Sequence, residues 1–297
     1  MKYPKISLVT TCYNHKDYIA ETIESILSQN YPNLEYIVID DGSTDGSWDI
    51  IQKYKDKLTL CERIEGYRDT PTVAINYAFS KTNGEIMGWL NSDDILLPKC
   101  LLNLKKIFEE NPDVSWITGM ASTININSLI VNSNLRFKSK YDYLIGDWAV
   151  IQQESTFWRR DLWDKAGSKL EGKYKWAFDT ELWTRFFMLA EHTHVNTLLG
   201  AFRKGVQSKS ISDEKSFSTP SEEYLKEMKQ RIGLKLKFEV WFYYFCKKIF
   251  WPIFFLLPQK VIKHTPLLKK YTYSLLEYSF EDDLWKKKKI NPFKRCF

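Results

Sequence analysis

LEYIVIDDGS, residues 34–43, decides the fold: a run of β-branched, aromatic and aliphatic side chains ends abruptly on two adjacent acids and a Gly-Ser turn. A short apolar run bounded by turn residues reads as a buried strand. The same unit recurs outward on both sides. Upstream, ISLVTTCY is an apolar, β-branched strand, and Asp17 precedes Ile19, Ile23, Ile26 and Leu27 at helical spacing before NYPN breaks the pattern. Downstream come a short helix (SWDIIQKYKD), a short strand (LTLC), a helix ending at Gly84 (TVAINYAFSKTNG) and another strand (EIMGWL). Strand and helix in alternation build a largely parallel sheet covered by helices on both faces. Ligands of such sheets bind beyond the carboxyl ends of the strands, where TCYN, DDGS and NSDD all fall.

Beyond Pro98 the pattern predicts the amphipathic helix KCLLNLKKIFEEN, then strands in VSWITGM and SLIVNS with antiparallel pairing. ESTFW reads as a strand, RRDLWDKAG as a short helix, FDTELWTRFFMLAE as a helix and HVNTLLGAFR as one strand, with the sheet ending there. The polar, Ser-rich SKSISDEKSFSTPS is expected to be a mobile loop or hinge. The chain thus divides into an α/β domain over residues 1–215 and a helical C-terminal region over 216–297.

With 297 residues, 44% hydrophobic and 15% aromatic, the chain supports one large domain with an appendage. The amino terminus alternates apolar and polar residues and lacks the apolar core of a secretory signal, so a cytoplasmic location is expected. Cys12, Cys61, Cys100, Cys246 and Cys296 are scattered without a C-x-x-C pair, which predicts reduced thiols and neither a disulfide framework nor a zinc site. Charge is unevenly divided: residues 233–297 carry 14 Lys and Arg against 5 Asp and Glu, leaving 29 against 32 in the rest. A basic appendage with its own partner fits this asymmetry better than a nucleic-acid binder does.

Each polar cluster admits two readings. IDDGSTDGS offers acceptors and free N–H groups suited to a nucleoside, and it is equally a solvated turn opening the next helix. In NSDD, Asp93 and Asp94 suffice for Mg²⁺ or Mn²⁺ carried in with a diphosphate, because such ions bind through one or two carboxylates plus phosphate and water. The alternative for Asp94 is a helix N-terminus, where acids are favoured. By pattern alone Asp179 is an N-cap ahead of the apolar face Leu182, Trp183, Phe186 and Phe187, while a carboxylate beside aromatics also has the setting of a general base.

TTCYN, IVIDDGSTDGS, NGEIMGWLNSDD, QQESTFWRRDLW and FDTELWTRF, in this order and spacing, resemble the inverting nucleotide-sugar glycosyltransferases of family 2, over about residues 5–210. The resemblance implies the GT-A fold, a nucleotide-sugar donor that is a UDP-sugar, and a Mn²⁺ or Mg²⁺ cofactor. It implies nucleotide-sugar contacts at Thr11, Tyr13, Asp41, Asn91, Ser92 and Asp93, with the metal on Asp93. It implies Asp179 as the catalytic base and Gln153, Glu154 and Ser155 on the acceptor side. Two departures stand out. Asn91 occupies the position of the first acid of D-x-D, where an amide can replace the hydrogen bond. Many relatives carry a His near Gly205, which FRKGVQSKS lacks; Lys209 and the neighbouring serines are candidates to contact phosphate instead.

FEVWFYYFCKKIFWPIFFLLP is apolar and aromatic, but Glu239, Lys247, Lys248 and Pro252 interrupt it, so it suits a membrane interface better than a bilayer span. Lys248, Lys260, Lys263 and the Lys286–Lys289 run would then meet anionic lipid. The alternative is a helical subdomain with a solvated basic face. The expected function is transfer of a sugar to a hydroxyl of a lipid-linked or growing glycan acceptor at the cytoplasmic face of the cell membrane. Two rivals remain at this level: an inactive scaffold in a glycan assembly complex, and a sugar-phosphate nucleotidyltransferase, which would need a Gly-rich phosphate loop where TCYNHKDY stands.

Overall fold

Three adjacent parallel strands build one half of the main sheet. In the computed structural model, which describes residues 3–64, 71–147, 151–173, 177–205, 214–249 and 271–290, they are β1 (Ile6–Cys12), β2 (Leu34–Asp40) and β4 (Ile86–Asn91). Thr11 pairs with Ile39 on one side and Asn91 on the other. The helices α1 (Ile19–Leu27), α2 (Ser47–Gln52) and α3 (Pro71–Ser80) connect these strands to one another and to the edge strand β3 (Leu60–Arg63). Because these three strands run the same way, the segments after Cys12, Asp40 and Asn91 leave from one edge, as the alternating pattern predicts.

The chain continues through β5 (Ile95–Leu96), α4 (Cys100–Glu110), β6 (Trp116–Thr118), β7 (Ala121–Ile124), β8 (Ile130–Asn134) and α5 (Lys140–Ile145). A 3-10 turn at Gln153–Ser155 leads into β9 (Thr156–Arg159), followed by α6 (Arg160–Lys165) and α7 (Phe178–Leu189). Among the described residues the main sheet has the order β13-β12-β10-β6-β9-β4-β1-β2-β3, and a second sheet the order β5-β11-β7-β8. Here β10 is His192–Val195, β11 Gly200–Arg203, β12 Tyr273–Ser279 and β13 Leu284–Ile290. HVNTLLGAFR is therefore not one strand. It turns after Val195, where the Asn196 N–H bonds to Leu276 O and the Thr197 N–H to Val195 O, and its two halves serve different sheets.

The expectation that the sheet ends at Arg203 is also corrected. The hairpin β12–β13 adds two strands to the main sheet beside β10, so the C-terminal region is not wholly helical. Its apolar anchors explain why: Leu276 and Trp285 are buried in the same core as Ile107 and Phe108 of α4. The Lys286–Lys289 run lies on β13 and is paired with acids. Lys287 binds Asp113 at 2.7 Å, and Lys286, Lys288 and Lys289 contact Asp282, Glu277 and Glu191. These lysines belong to the scaffold's surface, not to a free basic patch.

Two helices precede the hairpin, α8 (Glu214–Arg231) and α9 (Leu234–Ile249). The expected loop over SKSISDEKSFSTPS is thus helical from Glu214; its preceding residues, including Lys209, lie outside the described ones. α9 packs Val240, Tyr243 and Cys246 against Tyr141 and Leu144 of α5. Beneath them the buried Asp142 accepts from Tyr243 Oη at 2.7 Å, Lys247 Nζ at 2.6 Å and Tyr273 Oη at 3.0 Å. A buried carboxylate needs such partners, and here they come from α9 and β12 together. Burial works against the Lys247 ammonium, yet Asp142 and Asp147 hold its pKa above the ordinary value. The described part of the tail is therefore docked on the α/β domain. Pro252, Lys260 and Lys263 lie outside the described residues. No helix among the described residues is long and apolar enough to cross a membrane.

Candidate active site

The loops that leave β1 and β2 hold each other. Asn14, at φ 56°, takes Ser43 Oγ on its backbone N–H at 3.0 Å, while its side-chain oxygen accepts from the Thr44 N–H at 2.8 Å. One residue on, the His15 N–H donates to Ser47 Oγ at 3.0 Å. Gly42 sits at φ 75°, a conformation that costs a side chain dearly, which explains the Gly of DDGS. The two acids of that motif part ways. Asp40 is fully buried, accepting from the Ser43 N–H at 3.0 Å and facing Arg63 Nε at 3.4 Å. Asp41 follows at the sheet edge, with its N–H bonded to Cys12 O at 2.8 Å. Thr11 and Tyr13 stand on the neighbouring β1 end, both partly exposed.

The NSDD turn divides its acids in the same way. Asp94 is fully buried and turned inward: Oδ1 accepts from the Arg203 N–H at 2.8 Å and Oδ2 from Asn91 Nδ2 at 3.1 Å. It is not at a helix N-terminus, because β5 intervenes and α4 begins at Cys100 with Lys99 as its N-cap. Asp93 faces His15, whose Nδ1 is 3.9 Å from Asp93 Oδ1 and 2.7 Å from Ser92 Oγ.

Arg203 was not singled out by the sequence, yet it fixes this turn. Its buried guanidinium donates to Asp93 O at 2.7 Å, Glu21 Oε2 at 2.7 Å and Ser128 Oγ at 2.8 Å. The available signal was an arginine closing the apolar strand GAFR. A charge buried there needs several partners.

The turn at Gln153–Ser155 lies against the NSDD segment. Gln153 Nε2 bonds to Trp89 O, and Ser155 Oγ bonds to Gly200 O at 3.0 Å. Gly200 permits this approach, since a Cβ there would lie 2.0 Å from Glu154 O. All three side chains are buried; Gln153 Oε1 and Glu154 Oε2 are left without a hydrogen-bond partner among the described residues, whereas Ser155 is tied to the scaffold. Burial pushes the Glu154 carboxyl up to about 7, and the charges of Asp93 and Asp179 add to the rise. Burial, then the charges of Glu154 and Asp93, lift Asp94 well above the ordinary carboxylate range.

Asp179 belongs to this acid cluster through Glu154. It is not the N-cap of α7: Ala177 holds that position, without a side-chain bond, and Asp179 lies in the first turn with Oδ1 accepting from the Thr180 N–H at 2.7 Å. Burial pushes its carboxyl up to about 6, against that backbone contact. Four residues on, Trp183 stacks on Trp89 with centroids 5.5 Å apart and planes 9° apart. α7 is thereby fixed to the strand that ends in Asn91. The structure brings Thr11, Asp41, Asn91 and Asp93 to one sheet edge, and links Asp179 and Glu154 to the same end of β4.

Residues 7–167 match the family described as Glycosyl transferase family 2. The chain belongs to that family. Within it, the chain is 43% identical over 89 residues to WfaP of Escherichia coli, a UDP-Glc:alpha-D-GlcNAc-diphosphoundecaprenol beta-1,3-glucosyltransferase, covering 30% of this chain and 35% of WfaP. It is 39% identical over 95 residues to TuaG of Bacillus subtilis (strain 168), a putative teichuronic acid biosynthesis glycosyltransferase, covering 31% of this chain and 36% of TuaG. The chain spans about a third of the length of these relatives. Its fold is similar to that of TarS from S. aureus: the 1–349 fragment in complex with UDP-GlcNAc aligns at TM-score 0.60 and 16% identity, over 87% of this chain and 83% of that one. A mannosyltransferase of Pyrobaculum calidifontis, in complex with GDP-Man and Mn²⁺, aligns at 0.53 and 18% identity over 76% and 70%. These likenesses establish the GT-A type of α/β fold for the family 2 domain.

Among the described residues no three His, Cys, Asp or Glu side chains converge on a cation. The donor set that is present, one carboxylate at Asp93 with an imidazole beside it, fits a divalent ion that completes its shell with diphosphate and water.

Proposed function

We propose that this chain is an inverting glycosyltransferase that moves a sugar from a UDP-sugar to a hydroxyl group of a lipid-linked or growing glycan acceptor. The observation that carries the reading is the joining of two half-sites. The parallel register around Thr11 gathers a nucleoside edge and the Asp93 turn, and the Trp89–Trp183 stack ties the helix of Asp179 to the same strand. Asp41, Thr11 and Tyr13 take the nucleoside, and Asn91 and Ser92 the sugar and ribose hydroxyls. Asp93 would hold Mn²⁺ or Mg²⁺, which when bound offsets charge on the leaving diphosphate.

Inversion follows from a single displacement. Asp179 accepts the proton of the acceptor hydroxyl as that oxygen attacks the anomeric carbon from the face opposite the diphosphate. A carboxyl lifted to about 6 retains its charge at neutral pH and is a stronger base than an exposed Asp. Gln153 and Glu154, each with an unpartnered oxygen, receive the acceptor side. The activity for which WfaP is named, with its UDP-Glc donor and diphosphoundecaprenol-linked acceptor, supports the donor and acceptor classes.

The same reading has the protein working at the cytoplasmic surface of an anionic membrane. Support comes from α9, whose face opposite its packed one carries Leu234, Phe238 and Trp241 at 85%, 64% and 57% exposure, with Trp241 stacked on Phe245 and Lys248 beyond. Aromatic residues with a flanking lysine suit the headgroup level.

The deciding experiment measures UDP release from a panel of UDP-sugars, with diphospho-lipid glycan acceptors and Mn²⁺. Acceptor-dependent release from one UDP-sugar supports the reading. No release, together with no nucleotide binding, would instead indicate a scaffold.

A further inference from the structure

Resting on the reading that Asp179 is the base, we propose that Tyr224, on helix α8 of the C-terminal region, is a positioning residue that holds the first turn of α7 and with it the Asp179 carboxylate. The two ends of α7 are anchored differently. From the second turn on, Leu182, Trp183, Phe186 and Phe187 are buried in the large core that also contains Trp89 and Trp158, whereas in the first turn Phe178 meets that core only partly buried. Ala177 at the N-cap makes no side-chain bond to the turn. A helix start without a capping side chain forgoes the bond that usually steadies its opening N–H groups, so packing has to hold it.

That packing comes from α8. Ala177, 1% exposed, lies in a small apolar cluster with Tyr224 and Met228, separate from the large cores. The buried Tyr224 also donates from Oη to Glu181 O at 3.5 Å. One aromatic side chain therefore touches the residue two before Asp179 and the residue two after it. α8 is itself fixed on either side of this contact: Leu225 packs against the cluster of Tyr141 and Leu144 of α5, and Glu227 contacts Lys173, ahead of α7.

The chemistry makes the placement matter. A base works only within hydrogen-bond reach of the proton it takes, and a misplacement of about 1 Å can cost about a hundredfold in rate. Asp179 bonds to the Thr180 N–H of its own turn, so the carboxylate moves as that turn moves. α8 lies beyond residues 7–167 of the family match. The C-terminal region thus completes the acceptor half of the site.

The test is a double-mutant cycle in the full chain, read with the UDP-sugar and acceptor that give UDP release. Tyr224→Ala should lower kcat by about tenfold or more while UDP affinity stays at the wild-type value, and Tyr224→Phe, which keeps the ring on Ala177, should recover most of the loss. In an Asp179→Asn background Tyr224→Ala should change kcat by less than about twofold, because no carboxylate is left to position. Hydrogen exchange read by mass spectrometry gives a measure besides activity: residues 177–183 should exchange faster in Tyr224→Ala, and residues 184–189 as in wild type. Met228→Ala, a milder opening of the same contact, carries the cycle if Tyr224→Ala does not fold. An equal loss of kcat in both backgrounds, or wild-type exchange over residues 177–183, overturns the assignment of Tyr224 and leaves Asp179 standing. Full activity of Asp179→Asn with Tyr224 intact removes the base and its positioning residue together.

Discussion

Trp89 of β4 and Trp183 of α7 lie in parallel contact, their ring centroids 5.5 Å apart and their planes within 9°. Trp89 is two residues before Asn91 and Trp183 four after Asp179, so one stacked pair spans the donor edge and the proposed base. Trp183→Ala should cost about 3–5 kcal/mol, as large buried aromatics do when truncated. It should also lower kcat more than donor affinity, because α7 loosens while the β1 and β2 loops remain knit. Thermal melts beside kcat and KM measurements check this, and an unchanged kcat would separate the stack from catalysis.

Asp179→Asn should reduce transfer by at least about a hundredfold while donor affinity and melting temperature stay near wild type. The contrast is sharp because Ala177, not Asp179, sits at the N-cap of α7, so no cap is lost. Activity that survived in the Asn variant would assign the base elsewhere.

UDP should bind more tightly with Mn²⁺ than with chelator, and Asp93→Ala should erase the difference. Calorimetric titration of both proteins in both conditions provides the four affinities. Four equal values would remove the cation from Asp93.

Two pH effects follow from the acid cluster. As a base lifted to about 6, Asp179 should make kcat rise with pH through that value and then level off. Stability should move the opposite way. Between their unfolded pKa values near 4 and their folded values of about 6 and 7, Asp179 and Glu154 bind more protons in the folded state than in the unfolded one. Their contribution is therefore fully favourable below about pH 4 and is lost as pH rises through 6 to 7. Glu154→Gln should accordingly melt higher than wild type at pH 8, with the advantage shrinking toward pH 5. Melting curves across that range test the sign.

Binding to vesicles containing phosphatidylglycerol should depend on α9 and not on the lysine run of β13. Phe238→Ser with Trp241→Ser should weaken it strongly even at high salt, since apolar burial persists when charge is screened. Lys286→Ala with Lys288→Ala should change it little, because those ammonium groups already face Asp282 and Glu277. Co-sedimentation of the three proteins distinguishes the contributions; a dominant effect of the lysine pair would return the basic run to the membrane.

Local pattern was sufficient wherever a residue's role depends on its own segment. The alternation from ISLVTTCY to EIMGWL determined a parallel α/β sheet, and with it the edge shared by Thr11, Asp41 and Asp93, because strand direction and the period of burial are properties of short runs. Which acid of each pair turns inward was not legible: Asp40 and Asp94 are taken up by Arg63 and Arg203, residues 23 and 109 positions away. The same holds for His15, which meets Asp93 only after β1 and β4 pair. The tail shows the limit most clearly. Its charge was read correctly from composition, but Leu276 and Trp285 draw the hairpin into the core, and acids from four distant or neighbouring positions then neutralise lysines that look free in the sequence. Counter-charges and long-range strand pairing are set by packing, so only the tertiary structure decided them.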